Sequence, residues 1–384
     1  MANSFEQDRR TASLNISDQS NRAQPPSFDG INPPSFYEVA DKEESNAHPA
    51  VHEALIDSYG RIATSLRISI TDRCNFRCTY CMPDGIQHWL PRQEVLTFDE
   101  IERVAAICIN RFGIKKLRIT GGEPTVRADL PTLVAKLSRL ATYADHQVDI
   151  AMTTNGATLS LLAAPLYEAG LHRLNISLDT LRKERFLQIT GQDRLDSVLE
   201  GIEAARSVGY QSIKINTVVM SGVNDDEVVD LATFARERSL QARFIEFMPL
   251  DGQGRWNQGS VVRATDIIGM IDAVYPLERL PRRGSGPADI YSYRDGSGEV
   301  GIIASVTQPF CASCDRIRLT AEGKLRTCLF AHDEYDLRDM LRSGASDDQI
   351  ATRIKEIVLT KWAGHQIGKS SFVQPVRLMH QIGG

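Results

Sequence analysis

The sequence predicts an α/β fold built on a parallel sheet, followed by a smaller second domain. Three observations carry that expectation. Six short apolar runs recur from about Leu66 onward, and segments of 3.6-residue apolar periodicity separate them. Near residue 275 the rhythm breaks into the Pro- and Gly-rich stretch "YPLERLPRRGSGPADIY". Strands joined by crossover helices pair in parallel. Six strands are fewer than the eight of a closed barrel, so a barrel built part of the way and an open doubly wound sheet both fit.

Residues 1–50 come first. They are polar, hold two Pro-Pro pairs (Pro25-Pro26 and Pro33-Pro34), and read as a disordered leader. The predicted strands are "LRISI" (66–70), "KLRIT" (116–120), "VDIAMTT" (148–154), "RLNISLD" (173–179), "IKINTVVM" (213–220) and "RFIEFMPL" (243–250). Between them "FDEIERVAAICINRFG", "LPTLVAKLSRLA", "LSLLAAPLYEAG", "LDSVLEGIEAARSVG" and "DDEVVDLATFARERS" read as helices that stop at a Gly or polar residue. Asn224 is expected to N-cap the last of these, ahead of carboxylates that suit the helix dipole. The expected domains are therefore a leader over 1–50, a barrel over 51–275 and a smaller domain over 276–384.

The chain of 384 residues carries a net charge of −5, which gives no overall pull toward nucleic acid or membranes. Any anion site must come from locally placed bases. No apolar run approaches the ~20 residues that span a bilayer. Residues 1–50 hold eight acidic against four basic residues and no apolar signal core, which argues against a targeting peptide. A cytoplasmic home follows, where seven cysteines serve as metal ligands or core residues more often than as disulfides.

Three of those cysteines crowd into "DRCNFRCTYCMPDG": Cys74, Cys78 and Cys81, spaced C-x3-C-x2-C directly after the first strand. A structural zinc site wants a fourth ligand, and His88 could supply one. An iron–sulfur cubane held by three thiolates leaves one iron open, and then three cysteines are a complete set. The spacing, with Tyr80 before the last cysteine, resembles the radical S-adenosylmethionine superfamily. That resemblance implies a partial (β/α)6 TIM-like barrel and a 4Fe-4S cluster that binds S-adenosyl-L-methionine at its free iron and yields a 5′-deoxyadenosyl radical. It also implies cofactor contacts at Tyr80, at Gly122 and Glu123 of "GGEP", at Ser177 of "NISLD" and at Met248 of "EFMP".

A second set of three follows in "CASCDRIRLTAEGKLRTC": Cys311, Cys314 and Cys328, at C-x2-C-x13-C. The seventh cysteine, Cys108, falls on the apolar face of a predicted helix and reads as core. Two separate three-cysteine sets, "RIRL" and a terminal Gly-Gly together resemble the GTP 3′,8-cyclase family of molybdenum cofactor biosynthesis, from about residue 58 to the C-terminus. The resemblance implies a C-terminal domain with a second 4Fe-4S cluster whose free iron meets the purine of GTP. It implies a lyase reaction in which hydrogen is taken from ribose carbon 3′ and the ring closes onto guanine carbon 8.

A triphosphate needs counter-charge, and the sequence has no P-loop. Basic side chains inside buried strands are costly unless an anion faces them. Arg67, Arg118, Lys214 and Arg243 stand in four of the predicted strands, and the family match assigns them and Thr153 to GTP. Lys116 is held back as a weaker candidate that a shift in register would turn outward. Arg316 and Arg318 alternate on one side of a short strand. By the resemblance they position GTP, with the Gly383–Gly384 tail reaching the same site. His332, His365 and His380 read as surface or core residues. As partners the resemblance implies GTP, a flavodoxin- or ferredoxin-type reductant and a downstream cyclic pyranopterin monophosphate synthase, and it leaves a homodimer open.

Overall fold

The structure, a computed structural model, describes residues 53–82, 89–141, 147–250, 254, 256–282 and 284–383. The leader, His88 and Gly384 lie outside them. Six strands alternate with helices: β1 (Ser65–Ser69), α1 (Phe98–Phe112), β2 (Lys116–Thr120), α2 (Leu130–Ser138), β3 (Asp149–Thr154), α3 (Leu159–Glu168), β4 (Arg173–Ser177), α4 (Lys183–Thr190), α5 (Leu195–Val208), β5 (Ser212–Val219), α6 (Val228–Glu237) and β6 (Gln241–Glu246). After them come α7 (Ala264–Asp272), β7 (Leu277–Arg279), β8 (Asp289–Tyr293), β9 (Glu299–Ile303), β10 (Arg316–Leu319), β11 (Lys324–Arg326), β12 (Tyr335–Asp336), α8 (Arg338–Arg342), α9 (Asp347–Leu359) and α10 (Met379–Ile382).

β1 to β6 are parallel and lie in chain order with no reversal. A doubly wound sheet would reverse at a switch point, so this is the wall of a partial barrel. β1 and β6 do not close on each other. β10 pairs in parallel with β1, β9 pairs in parallel with β6, and β11–β12 and β8–β7 extend those edges antiparallel. The chain after residue 275 thus prolongs both ends of one sheet and covers edges that would otherwise expose unpaired N–H and C=O groups. Apolar periodicity gives no hint of this, because the added strands are two to five residues long.

Each parallel strand alternates. Leu66, Ile68, Leu117, Ile119, Ile215 and their kind pack under the helices at or near zero exposure. Each such side chain contributes roughly 1.5–3 kcal/mol by burial. The residues between them, Arg67, Arg118, Thr153, Lys214 and Arg243 among them, face the barrel interior, as a period of two requires. Lys116 is two residues from Arg118 and so shares its face; the doubt over its orientation is removed.

Local signals set the helix ends. Thr97 and Glu100 form a capping box at the start of α1, and Gly113 ends it at φ 67° in the left-handed region. Cys108 on that helix is fully buried. Two expectations change. Asn224 precedes a short 3-10 turn, but its side chain does not cap it. The amide donates to the carbonyls of Asp179 (2.8 Å) and Val218 (2.9 Å), and its oxygen accepts from Met220 N–H. β6 ends at Glu246, so Met248 stands in the following turn rather than in the strand. Pro249, which lacks an N–H, cannot continue the ladder.

Candidate active site with two thiol sets and a cationic bowl

Cys74, Cys78 and Cys81 lie on the loop that leaves β1, and all three are free. Cys81 N–H and Met82 N–H both donate to the Cys78 carbonyl at 2.9 Å, which folds the loop back on itself. Burial raises the three thiols, Cys74 to about 11 and Cys81 to about 12, and each is raised further by a neighbouring thiol of the set or by a nearby carboxylate. Among the described residues no three His, Cys, Asp or Glu side chains converge as the shell of a single metal ion requires. An iron–sulfur cube holds its cysteines on separate irons, and that donor chemistry fits a set of three spaced thiols.

The "GGEP" turn after β2 packs onto this loop. Gly122 N–H donates to the Thr71 carbonyl at 2.8 Å. A Cβ on Gly121 would stand 2.5 Å from the same oxygen, and one on Gly122 would overlap the Arg73 carbonyl, so no side chain fits either position. Glu123 is buried and its carboxylate accepts from Thr125 N–H, Thr125 Oγ1, Thr154 Oγ1 and Asn155 N–H at 2.6–3.0 Å, which ties the ends of β2 and β3 together. Tyr80 donates to Asp179 at 2.7 Å, and burial lifts Asp179 to about 6. Ser177 is the last residue of β4.

The second set flanks β10 and β11: Cys311 and Cys314 precede the one, and Cys328 follows the other. Burial raises Cys314, but the charges of Arg316 and Lys361 outweigh it and hold this thiol below its ordinary value. A Cβ on Gly364 would lie 2.9 Å from Cys311 Cβ, so the backbone at Gly364 closes directly over that thiol.

Between the two sets the barrel interior is a cationic bowl. Register aligns Arg318, Arg67 and Arg118 across β10, β1 and β2, and Arg316, Ser65 and Lys116 one step below. Arg67, Arg118, Thr153, Lys214, Arg243 and Arg316 all line one cavity. The lining counts seven basic residues, with Lys116 and Arg173 added, against two acidic ones, Asp149 and Asp315. Lys116 pairs with Asp315 at 3.5 Å. Burial, then Arg318, Arg316 and Arg118, hold Arg67 well below the usual guanidinium range. Burial and then Arg243, Arg173 and Arg118 bring Lys214 to about 7. Among the described residues Arg67 Nε and Arg316 Nη2 are buried with no hydrogen-bond partner. Arg318 donates to the Gly383 carbonyl, and Gly383 (φ 72°) sits where a Cβ would be 2.6 Å from Ser69 Oγ. Gly383 therefore packs against the ends of β1 and β2 beside Arg318.

A family model described as Radical SAM superfamily matches residues 68–235, and one described as Molybdenum Cofactor Synthesis C matches residues 240–367. A protein of Streptomyces coelicolor named GTP 3′,8-cyclase is 47% identical over 332 residues, covering 86% of this chain and 96% of its own. The chain belongs to the GTP 3′,8-cyclase family. Proteins of the same name from Rhodopirellula baltica (46% identical; 86% of this chain, 92% of that one) and Corynebacterium glutamicum (45%; 87% and 90%) agree. Among solved structures, anSMEcpe with bound AdoMet superposes with a TM-score of 0.55 at 16% identity, over 82% of this chain and 93% of that one. Streptococcus suis SuiB bound to S-adenosylmethionine gives 0.51 at 14%, over 77% and 69%. At such identities these two show the fold alone.

In this GTP 3′,8-cyclase family member two supporting residues, Arg61 and Lys361, are not legible in the sequence. Arg61 donates to the carbonyls of Cys311 (2.8 Å), Ala363 (2.8 Å) and Trp362 (2.5 Å), and is itself held by Asp57 at 2.6 Å. Lys361 donates to the carbonyls of Cys314 and Arg316, both at 2.9 Å. These two cations clamp the second thiol loop from 250 and 47 residues away, and no spacing rule connects them to it. His380 is buried, with its ring 5.9 Å from Trp89 and hydrogen-bonded to the Cys81 backbone. The structure makes it a core residue that ties the C-terminal helix to the first thiol loop.

Proposed function

We propose that the bowl seats the triphosphate of GTP, with the guanine edge toward Cys311, Cys314 and Cys328 and S-adenosylmethionine toward Cys74, Cys78 and Cys81. As a radical S-adenosylmethionine enzyme of its family, the chain is a lyase that converts GTP to (8S)-3′,8-cyclo-7,8-dihydroguanosine 5′-triphosphate, the first step of molybdenum cofactor biosynthesis. The observation that carries the seating is the excess of five basic over acidic residues around Arg67 Nε and Arg316 Nη2, which are buried and without a hydrogen-bond partner among the described residues. Buried cations are costly without counter-charge, and GTP brings about four negative charges in reach of arginine forks that bind two oxygens at once.

When bound, two 4Fe-4S clusters and S-adenosyl-L-methionine supply the radical chemistry and an open iron for the purine. The chain supplies placement. Gly122 lets the turn after β2 pack onto the first thiol loop, and Glu123 holds that turn through the four protein donors on its carboxylate. Tyr80, Ser177 and Met248 complete that side. Arg67, Arg118, Thr153, Lys214 and Arg243 hold phosphate oxygens from the barrel wall. Arg316 and Arg318 orient the nucleotide from β10, and Arg318 also holds the Gly383 carbonyl.

In this reading residues 51–275 carry the S-adenosylmethionine side, 276–384 carry the auxiliary cluster and GTP side, and the leader 1–50 carries no chemistry. Electrons come from a flavodoxin- or ferredoxin-type reductant, and a cyclic pyranopterin monophosphate synthase consumes the product. Every described group that the reading uses comes from one chain, so it holds for a monomer and a homodimer alike. Among the described residues no helix is long and apolar enough to cross a membrane, in keeping with a cytoplasmic enzyme.

The test is anaerobic reconstitution followed by iron and sulfide counts and turnover with GTP, S-adenosylmethionine and reductant. About eight irons and GTP-dependent 5′-deoxyadenosine with a cyclised nucleotide are expected. Cysteine 74 changed to serine removes 5′-deoxyadenosine altogether. Zinc without acid-labile sulfide, or cofactor cleavage indifferent to GTP, overturns the assignment.

A further inference from the structure

Asp149 and Arg173 belong to no motif in the sequence, yet both line the bowl. They open β3 and β4. Register sets Arg118, Ala151 and Arg173 side by side on β2, β3 and β4. Neighbouring strands are about 4.8 Å apart, so the two arginines start roughly 10 Å apart, with only a methyl between them. Asp149 stands two residues before Ala151 on the same face and fills the gap. Its Oδ2 accepts from Arg118 Nη2 at 2.5 Å and from Arg173 Nη1 at 2.8 Å. Arg118 Nη1 also donates to the carbonyls of Asp149 (2.7 Å) and Leu117 (2.9 Å), so the fork is fixed in place.

One carboxylate cannot neutralise two guanidiniums. Among the described residues Asp149 is Arg173's only ion-pair partner, and the Arg173 side chain, which lines the cavity, is 37% exposed. In the sheet β4 stands four strands from β10, which carries the second thiol set at its foot. Arg173 therefore faces that set across the bowl, on the wall it shares with Lys214. Its charge reaches Lys214 and Arg243, where it adds to burial in lowering both.

We propose that Arg173 binds the terminal phosphate of the nucleoside triphosphate, and that Asp149 is a positioning residue that holds Arg118 and Arg173 spread to receive it. The proposal rests on the substrate reading above. A nucleotide held by its base at the second thiols presents its last phosphate to the far wall, and there Arg173 distinguishes three phosphates from two.

Calorimetric binding of GTP and of GDP to the reconstituted full-length protein tests this, with R173Q, R173K, D149A and, as control, R243Q. A charge-assisted bond to phosphate is worth a ten- to hundredfold change in affinity, by order of magnitude. R173Q should weaken GTP by about that factor and GDP far less, so the preference for GTP collapses. R173K should restore part of it, because lysine keeps the charge but lacks the fork. D149A should lower the same preference with thermal unfolding of the fold unchanged, which a merely structural role would not do. If R173Q weakens GTP and GDP equally, or neither, while R243Q weakens both, the proposal is overturned and the substrate reading stands. If R243Q also leaves GTP binding untouched, the substrate reading falls with it.

Discussion

Lys214 stands on β5 with Arg243 on β6, Arg173 on β4, Arg118 on β2 and Asp149 on β3 around it, and burial plus those arginines bring its ammonium to about 7. Arg243, lowered by burial first to about 10, keeps its charge near neutrality, and Asp149 is held below its usual value by Arg118 and Arg173 against the effect of burial. Lys214 therefore changes charge around pH 7. Free protein at pH 7 carries about half a proton on it, and at pH 8 about a tenth. A bound triphosphate restores the charge, so binding takes up the missing proton and becomes weaker as pH rises. The ratio of charged fractions gives about a fivefold rise in Kd for GTP from pH 7 to pH 8. The ligand-free protein moves the other way. An unfolded lysine binds its proton up to its ordinary pKa, so raising pH above 7 favours the folded state at this residue. Calorimetry in buffers of different ionisation enthalpy reads both affinity and proton uptake, expected at about half a proton at pH 7. Lys214→Arg should bind GTP with no such slope over this interval. An identical slope in that variant would place the proton elsewhere and refute the assignment.

Cys328→Ser should abolish GTP turnover and halve the iron content while leaving uncoupled cleavage of S-adenosylmethionine; full iron content with lost activity would contradict the ligand role. Removing Gly383–Gly384 should cut kcat by at least about tenfold with little change in Tm, because Arg318 loses the carbonyl it holds; unchanged turnover rules out the tail as part of the site. Arg61→Gln withdraws three backbone contacts from the second thiol loop. It should yield protein short of about four irons yet with the first cluster's spectrum intact, and normal iron retention would show that Lys361 alone suffices.

The sequence by itself determined the parallel β/α rhythm, both thiol sets and the bases on the strands. Each is a local signal: apolar spacing, cysteine spacing, or charge at an inward position of a period-two strand. It also placed Arg67, Arg118, Lys214 and Arg243 on one cavity, because strands that share a buried face must share the other face too. The tertiary structure alone decided what depends on register and distant packing. That β9 and β10 flank the barrel follows from edge pairing that no local pattern encodes. Arg61 and Lys361 reach the second thiols only because their elements pack there. Asp149 and Arg173 meet because β3 starts two residues before the level at which β4 begins, with an alanine between the arginines they join. Local chemistry is written in spacing along the chain, whereas a shared charge across a bowl exists only once register has brought its members within a hydrogen bond of one another.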